Sequence, residues 1–338
     1  ILLMTTISFS YPLKAQSPQF AVVKPNGTTQ VFPSWTSAYN AASNDDYIYL
    51  PGIGITDNLI LNKRLHIFGA GHHPDSTLAT SKTVISGPIN IQRGASGGEL
   101  NGISCPAIHI GNDNSKVTNF TIKSCYISNY IYFGSSIVDS FPQYITITEN
   151  VISDLQSLSS AGSINSMFEK NIFIAQVYHF AYCVFKNNIF LLTSNPISGI
   201  NNSTFENNIF LLTNPFTSNC CFNSYFNNLK LTNNNFPSDQ NCPILSENGN
   251  ISVPNITDIF ISYAANGFDY DDDYHLSPAC PGNNSGTDGT DVGIYGTSDP
   301  TSEGWVPSNP HIYFKDVDPS TGADGKLHIQ IGVRANNN

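Results

Sequence analysis

The chain has 338 residues, 40% hydrophobic and only 12% charged, enough for one elongated domain or two compact ones. Its net charge of −11 disfavours nucleic acid and anionic membrane as partners, since both attract basic patches. A surface solvated by amides and hydroxyls suits a β-rich extracellular protein and argues against long, salt-bridged helices.

Residues 1–16 combine an apolar run with Pro12 and end in Leu13, Lys14, Ala15 and Gln16, like the tail of a signal peptide cleaved near Ala15. A mature N-terminal strand is the alternative. The expectation is a secreted, periplasmic or cell-surface protein. No stretch approaches the ~18 consecutive apolar residues that would span a bilayer.

Ser34 precedes Trp35, Ala38, Tyr39 and Ala42, an i, i+3, i+4, i+7 stripe with an N-cap. A short helix here would cover the open edge of a following sheet. Next come Tyr47 to Leu50 with Pro51 and Gly52, then Leu59 to Leu61, then Arg64 to Gly69, read as strands and turns.

A repeat then takes over. Ile147 and Asn150, Phe168 and Asn171, Phe185 and Asn188, Phe205 and Asn208, Tyr225 and Asn228 all share one spacing. One or two apolar residues follow each Asn, and the Asn residues recur at intervals of 21, 17, 20 and 20. An earlier copy has Cys125 in the Asn slot, 25 residues before Asn150. Helical solenoids need longer repeats with apolar positions at helical spacing. Alternation on each side of a short polar break means strand–turn–strand instead. A coil of about 20 residues stacks on the next at ~4.8 Å. Asn at the break tolerates a left-handed corner, and stacked Asn side chains can bond along the axis.

After Thr297 the chain is rich in Pro, Ser and Gly. Leu327, Ile329, Ile331 and Val333 then alternate as one terminal strand, expected to fold back as a cap. The fold class expected is therefore all-β: a single-stranded right-handed parallel β-helix with an N-terminal capping helix and a C-terminal capping strand. The divisions are 1–16 as signal-peptide remnant, 17–296 as β-helix and 297–338 as cap and tail.

Asn44-Asp45-Asp46, Leu50-Pro51-Gly52 and the strand from Lys63 to Gly69 resemble the N-terminal coils of pectate-lyase-like right-handed β-helix proteins. The stretch from Tyr274 to Gly296 resembles the closing coil of many secreted bacterial members. With the repeats, the resemblance covers roughly residues 21–296. It implies fold and export but leaves activity open, because that superfamily holds lyases, hydrolases, adhesins and proteins without known activity.

Lyases of that superfamily hold Ca²⁺ on Asp residues and use Arg or Lys as base. The arginines here are Arg64, Arg93 and Arg334, all outside the repeats. Lys170 and Lys186 sit in the polar break and read as solvated turn residues. Hydrolases need closely set carboxylates. Glu149, Glu169 and Glu206 recur near the ladder Asn and could raise one another's pKa, or the corner simply tolerates any polar residue. The acidic run Asp269, Asp271, Asp272 and Asp273 lacks EF-hand spacing and reads as a solvated loop, yet it is the best-furnished Ca²⁺ candidate. His72 and His73 lack a third metal ligand at a suggestive spacing.

Seven cysteines without a Cys-x-x-Cys pair argue against a zinc knuckle or a complete disulfide framework. Cys105 and Cys125, like Cys221 and Cys242, lie about one coil apart, which allows either a disulfide or stacked thiols. Tyr126, Tyr130 and Tyr132 crowd one coil with Phe133 and cannot all point inside. Exposed, they could stack on sugar rings. The expected function is a non-catalytic, glycan-binding or cell-surface structural role, as a monomer with polysaccharide as partner. The alternative is a polysaccharide lyase or glycoside hydrolase acting on acidic or neutral polysaccharide.

Overall fold

The computed structural model describes residues 19–334 apart from 135–136, 138–139, 159–164, 193–196, 213, 218, 232–235, 237–242, 306, 308–309 and 323. The signal-peptide reading of residues 1–16 and the pairing of Cys242 lie outside the described residues.

The chain winds into a parallel β-helix built from two long sheets. The first has twelve strands. It opens with the antiparallel strands Thr29–Phe32 and Phe20–Val23 and then stacks in parallel from Tyr47–Tyr49 to Ser246–Asn248. The second has thirteen strands and includes the long Ser104–Ile110, Tyr126–Phe133, Val151–Ser157 and Ile172–Ala181. Register shifts bend three of their pairings, so that each long strand presents two faces.

The repeat is a ladder in the core. Phe168, Phe185, Phe205 and Tyr225 pair in register, with successive ring centroids 4.7, 4.7 and 5.4 Å apart. Phe173, Phe190 and Phe210 make a second stack at 5.0 and 4.8 Å. Beside them, Asn150, Asn171, Asn188 and Asn208 are buried, and each side-chain NH₂ donates to the Oδ1 of the Asn one coil on. Every one of these Oδ1 atoms also accepts a backbone N–H from the coil before it.

The left-handed corner falls one residue earlier than expected. Ser124, Glu149, Lys170, Asn187, Asn207 and Asn227 have φ between 49° and 58°, and each precedes the ladder position. The ladder Asn is chosen for its amide, which bonds both ways along the axis. The residue before it turns the chain. Its side chain therefore points outward, away from the core.

The first residue after each ladder Asn also faces out, yet Val151, Ile172, Ile189, Ile209 and Leu229 are fully buried. They are covered by residues 256–305, which run back along the solenoid and contribute Ile259, Leu276, Val292, Ile294 and Trp305. The corner side chains hold this strap in reverse order. Asn227 donates to the Ser285 carbonyl, Asn207 to Thr287 Oγ1, Asn187 to the Gly293 carbonyl and Lys170 to the Asp299 carbonyl. The expected closing coil is thus no further coil, because its apolar residues fit the outward stripe rather than the core.

The corner residues are correspondingly not all solvated. Glu149 and Lys170 are buried, 2% and 4% exposed, and lie 3.4 Å apart. Lys123 also approaches Glu149 at 3.3 Å, and Lys186 approaches Glu206 at 3.1 Å. The recurring glutamates alternate with lysines instead of stacking as like charges.

The helix is Trp35–Ala41, capped by the Ser34 hydroxyl, which accepts from the Ser37 N–H at 3.2 Å. It buries Trp35 and Ala38. The terminal strand is present as Ile329–Arg334, but it pairs antiparallel with His311–Val317. Ile329, Ile331 and Val333 are all more than half exposed, so this hairpin buries no solenoid end. Among the described residues no helix is long and apolar enough to cross a membrane.

Cys105 and Cys125 are buried free thiols, and burial pushes Cys125 and the likewise buried Cys183 up to about 12. Cys221 is disulfide-bonded, unlike the thiol ladder considered for it.

Candidate functional site

The long strands of the second sheet alternate inward and outward side chains. Ile108, Ile131, Leu155 and Val177 go in, fully buried. Their neighbours come out in rows, because parallel pairing places residues one coil apart side by side. One row is Asn90, His109, Tyr132, Gln156, Tyr178 and Ser198. The adjacent row is Ala107, Tyr130, Asp154 and Gln176.

These two rows line a groove of about 430 Å³, bordered by His109, Asn112, Tyr130, Tyr132 and Gln156. The His109 and Tyr130 rings stack at 5.6 Å with a 13° interplanar angle, and Tyr132 stands edge-on to both. Tyr178 donates its hydroxyl to Gln156 Oε1 at 2.7 Å. The Gln156 amide reaches Asp154 at 3.4 Å, and the Gln176 N–H donates to Asp154 at 3.0 Å. His109 faces Asn90 through Nδ1 at 3.1 Å and the Tyr130 hydroxyl through Nε2 at 3.4 Å.

Partial burial lowers the His109 pKa, which leaves a neutral imidazole at pH 7. Burial also raises the Asp154 carboxyl against its two hydrogen bonds, and it raises the Tyr178 hydroxyl. Asp154 is the one carboxylate on the two rows, and no Lys or Arg stands on them. The face therefore offers flat rings, hydroxyls and amides, with little charge. It can stack on and hydrogen-bond to a neutral polar ring. A hydrolase pair would need a second carboxylate beside Asp154.

Of the three tyrosines singled out from sequence, Tyr130 and Tyr132 lie in this groove. Tyr126, at the other end of the same strand, is turned under the strap. It packs among His72, Phe268 and Tyr270, with centroids 6.0–6.2 Å away. Sequence reasoning missed His109, Asn112, Gln156 and Tyr178. His109, Gln156 and Tyr178 each stand beside an inward apolar residue, Ile108, Leu155 and Val177, which marks them as outward-facing but not as a site.

The acidic run lies on the strap. The Asp269 carboxylate accepts the Asp271 N–H, Asp272 accepts the Ala264 N–H, and Asp273 pairs with His275 at 2.7 Å. Each of these three carboxylates is engaged locally. Among the described residues, no group of three or more His, Cys, Asp or Glu comes together as a metal site. Asp272 and Asp273 border a smaller cleft of about 230 Å³ with His73, Tyr270, Tyr295 and Trp305.

Comparison with known proteins brings no match: no family model, no curated protein and no solved structure is similar to the chain.

Proposed function

We propose that this is an exported, non-catalytic glycan-binding protein, displaying its site on a rigid β-helix. The observation that carries the reading is the register-matched face of His109, Tyr130, Tyr132, Gln156 and Tyr178. Aromatic faces supply stacking area at small entropic cost, while amides and hydroxyls supply direction. The low charge of the two rows favours neutral sugar rings over charged ones, since nothing there pairs with an anion. The resemblance to pectate-lyase-like proteins is consistent with export and with a polysaccharide partner. The catalytic alternative draws on Asp154 alone, which has no second carboxylate, Lys or Arg beside it on the two rows among the described residues.

The test is titration calorimetry against a panel of neutral oligosaccharides, with Tyr130→Ala and Tyr132→Ala. Each ring lost should weaken binding by about 1 kcal/mol, roughly five- to tenfold in Kd. Thermal stability should be unchanged, because both side chains face the groove. Binding that survives the double variant intact would refute the platform. Release of reducing ends or of unsaturated sugar from any member of the panel would refute the non-catalytic part.

A further inference from the structure

A second cavity opens at the corner beyond Asn90 and Asn112, where the chain leaves the second sheet. It measures about 650 Å³ and is lined by Arg93, Lys116, Ser96, Ser115, Thr118 and Ser140 among others, with no carboxylate among the described residues of its wall. Arg93 opens the 3₁₀ turn Arg93–Ala95, and Lys116 lies in the loop one coil later. The two segments are tied together. The Arg93 N–H donates to Ser115 Oγ at 3.0 Å. Ser96 Oγ donates to the Arg93 carbonyl at 2.7 Å and accepts the Thr118 N–H at 3.1 Å.

Elsewhere on the solenoid the cations have partners: Lys63 donates to the Tyr39 and Ala42 carbonyls, and Lys82 and Lys230 lie over the Tyr270 and Phe236 rings. Lys24, Arg64, Lys123, Lys170 and Lys186 each touch a carboxylate. Arg93 and Lys116 touch none among the described residues. Asp113, the acid nearest to Lys116 in sequence, uses its Oδ1 to accept the Ser115 N–H. In a chain of net charge −11, two cations sharing one hydroxyl-lined cavity are an exception. Two like charges facing one space repel unless an anion sits between them.

We propose that Arg93 and Lys116 form an oxyanion-binding site. The Arg93 guanidinium would clamp two oxygens of the anion with its planar fork, and Lys116 would supply a point charge. The Ser115 and Thr118 hydroxyls would donate to the remaining oxygens, while Ser96 keeps its proton on the Arg93 carbonyl. The ligand group is a sulfate, phosphate or carboxylate, either free or carried as a substituent on a polymer. The site is separate from the tyrosine groove, so either can fail without the other.

Calorimetry with sodium sulfate and with inorganic phosphate in low-salt buffer tests this on the intact protein. Saturable binding is expected, weakening as sodium chloride is raised. Arg93→Gln and Lys116→Gln should each reduce affinity about fivefold or more, and the double variant should abolish saturation. Lys315→Gln, on the exposed hairpin, should change nothing. Matching thermal melts establish that the variants fold. A sulfated oligosaccharide that binds more tightly than sulfate, and more tightly than its desulfated form, assigns a polymer-borne group. Equal affinity for free sulfate and the sulfated oligosaccharide assigns a free anion. Absence of saturable binding to sulfate, phosphate and the sulfated oligosaccharide overturns the proposal, as does binding unchanged in the double variant.

Discussion

Lys170 donates to the backbone carbonyl of Asp299 at 2.6 Å, joining a solenoid corner to a strap 129 residues further along the chain. The same ammonium lies 3.4 Å from Glu149, whose carboxylate is only 3% exposed. Removing one partner of a buried pair leaves the other charge uncompensated, which costs more than the pair contributes. Lys170→Met should therefore destabilise the protein by about 3 kcal/mol, with Lys123 limiting the loss. Amide exchange should rise most in the strap between residues 285 and 300, ahead of the coils. Adding Glu149→Gln should restore part of the stability, since no charge then remains buried. Uniform exchange in strap and coils alike would contradict the docking role of Lys170.

Asn188 is satisfied on all sides. It donates to the Phe168 carbonyl at 2.8 Å and to Asn208 Oδ1 at 2.9 Å, and it accepts both the N–H and the side-chain NH₂ of Asn171. Asn188→Ala strips partners from several buried groups, each worth about 1–3 kcal/mol when unmet. A net loss of about 3 kcal/mol in chemical unfolding is expected. At the end of the ladder, Asn250 is partly exposed, and water can replace what it gives up. Asn250→Ala should cost about 1 kcal/mol or less. Equal losses at the two positions would mean that the ladder contributes through something other than buried amides.

The coil was legible because it is local and periodic: Phe168, Asn171 and Phe173 recur as Phe185, Asn188 and Phe190. The strap was not, although its trace was there. Two apolar residues follow the ladder Asn, and in alternating strands only one of them can face the core. The outward member, as at Ile172 and Ile189, had to be covered by something, and no local pattern says by which distant segment. The same gap hid the docking of Asn187, Asn207 and Asn227, whose outward amides resembled ordinary turn residues. In the groove, Tyr130 and Tyr132 were visible as excess tyrosine in one coil. His109, Gln156 and Tyr178 were not, because their coils carry no excess. Tyr126 went astray for the opposite reason, since its place beneath the strap depends on Phe268 and Tyr270.

His72 gives the strap a measurable dependence on pH. It is buried among Tyr126, Tyr270 and Trp305, and its Nδ1 meets the Tyr270 hydroxyl at 2.9 Å. Burial lowers its pKa to about 3, and the positive charges of His73 and Lys82 act in the same direction. In the unfolded chain an imidazole titrates near 6.5, so below that pH the unfolded state binds the extra proton. The contribution is complete above about pH 6.5. It is lost as the pH falls towards 3, at up to about 1.4 kcal/mol per pH unit, and is constant below that. His72→Phe keeps an aromatic ring but cannot take up a proton. Its melting temperature should fall less steeply than that of the unaltered protein between pH 6.5 and 4. Carboxylates such as Asp288, raised by its slight burial but lowered on balance by hydrogen bonds from Thr290, contribute to the acid limb of both proteins and cancel in the comparison. Parallel slopes over that range would show that His72 is not held neutral by its surroundings.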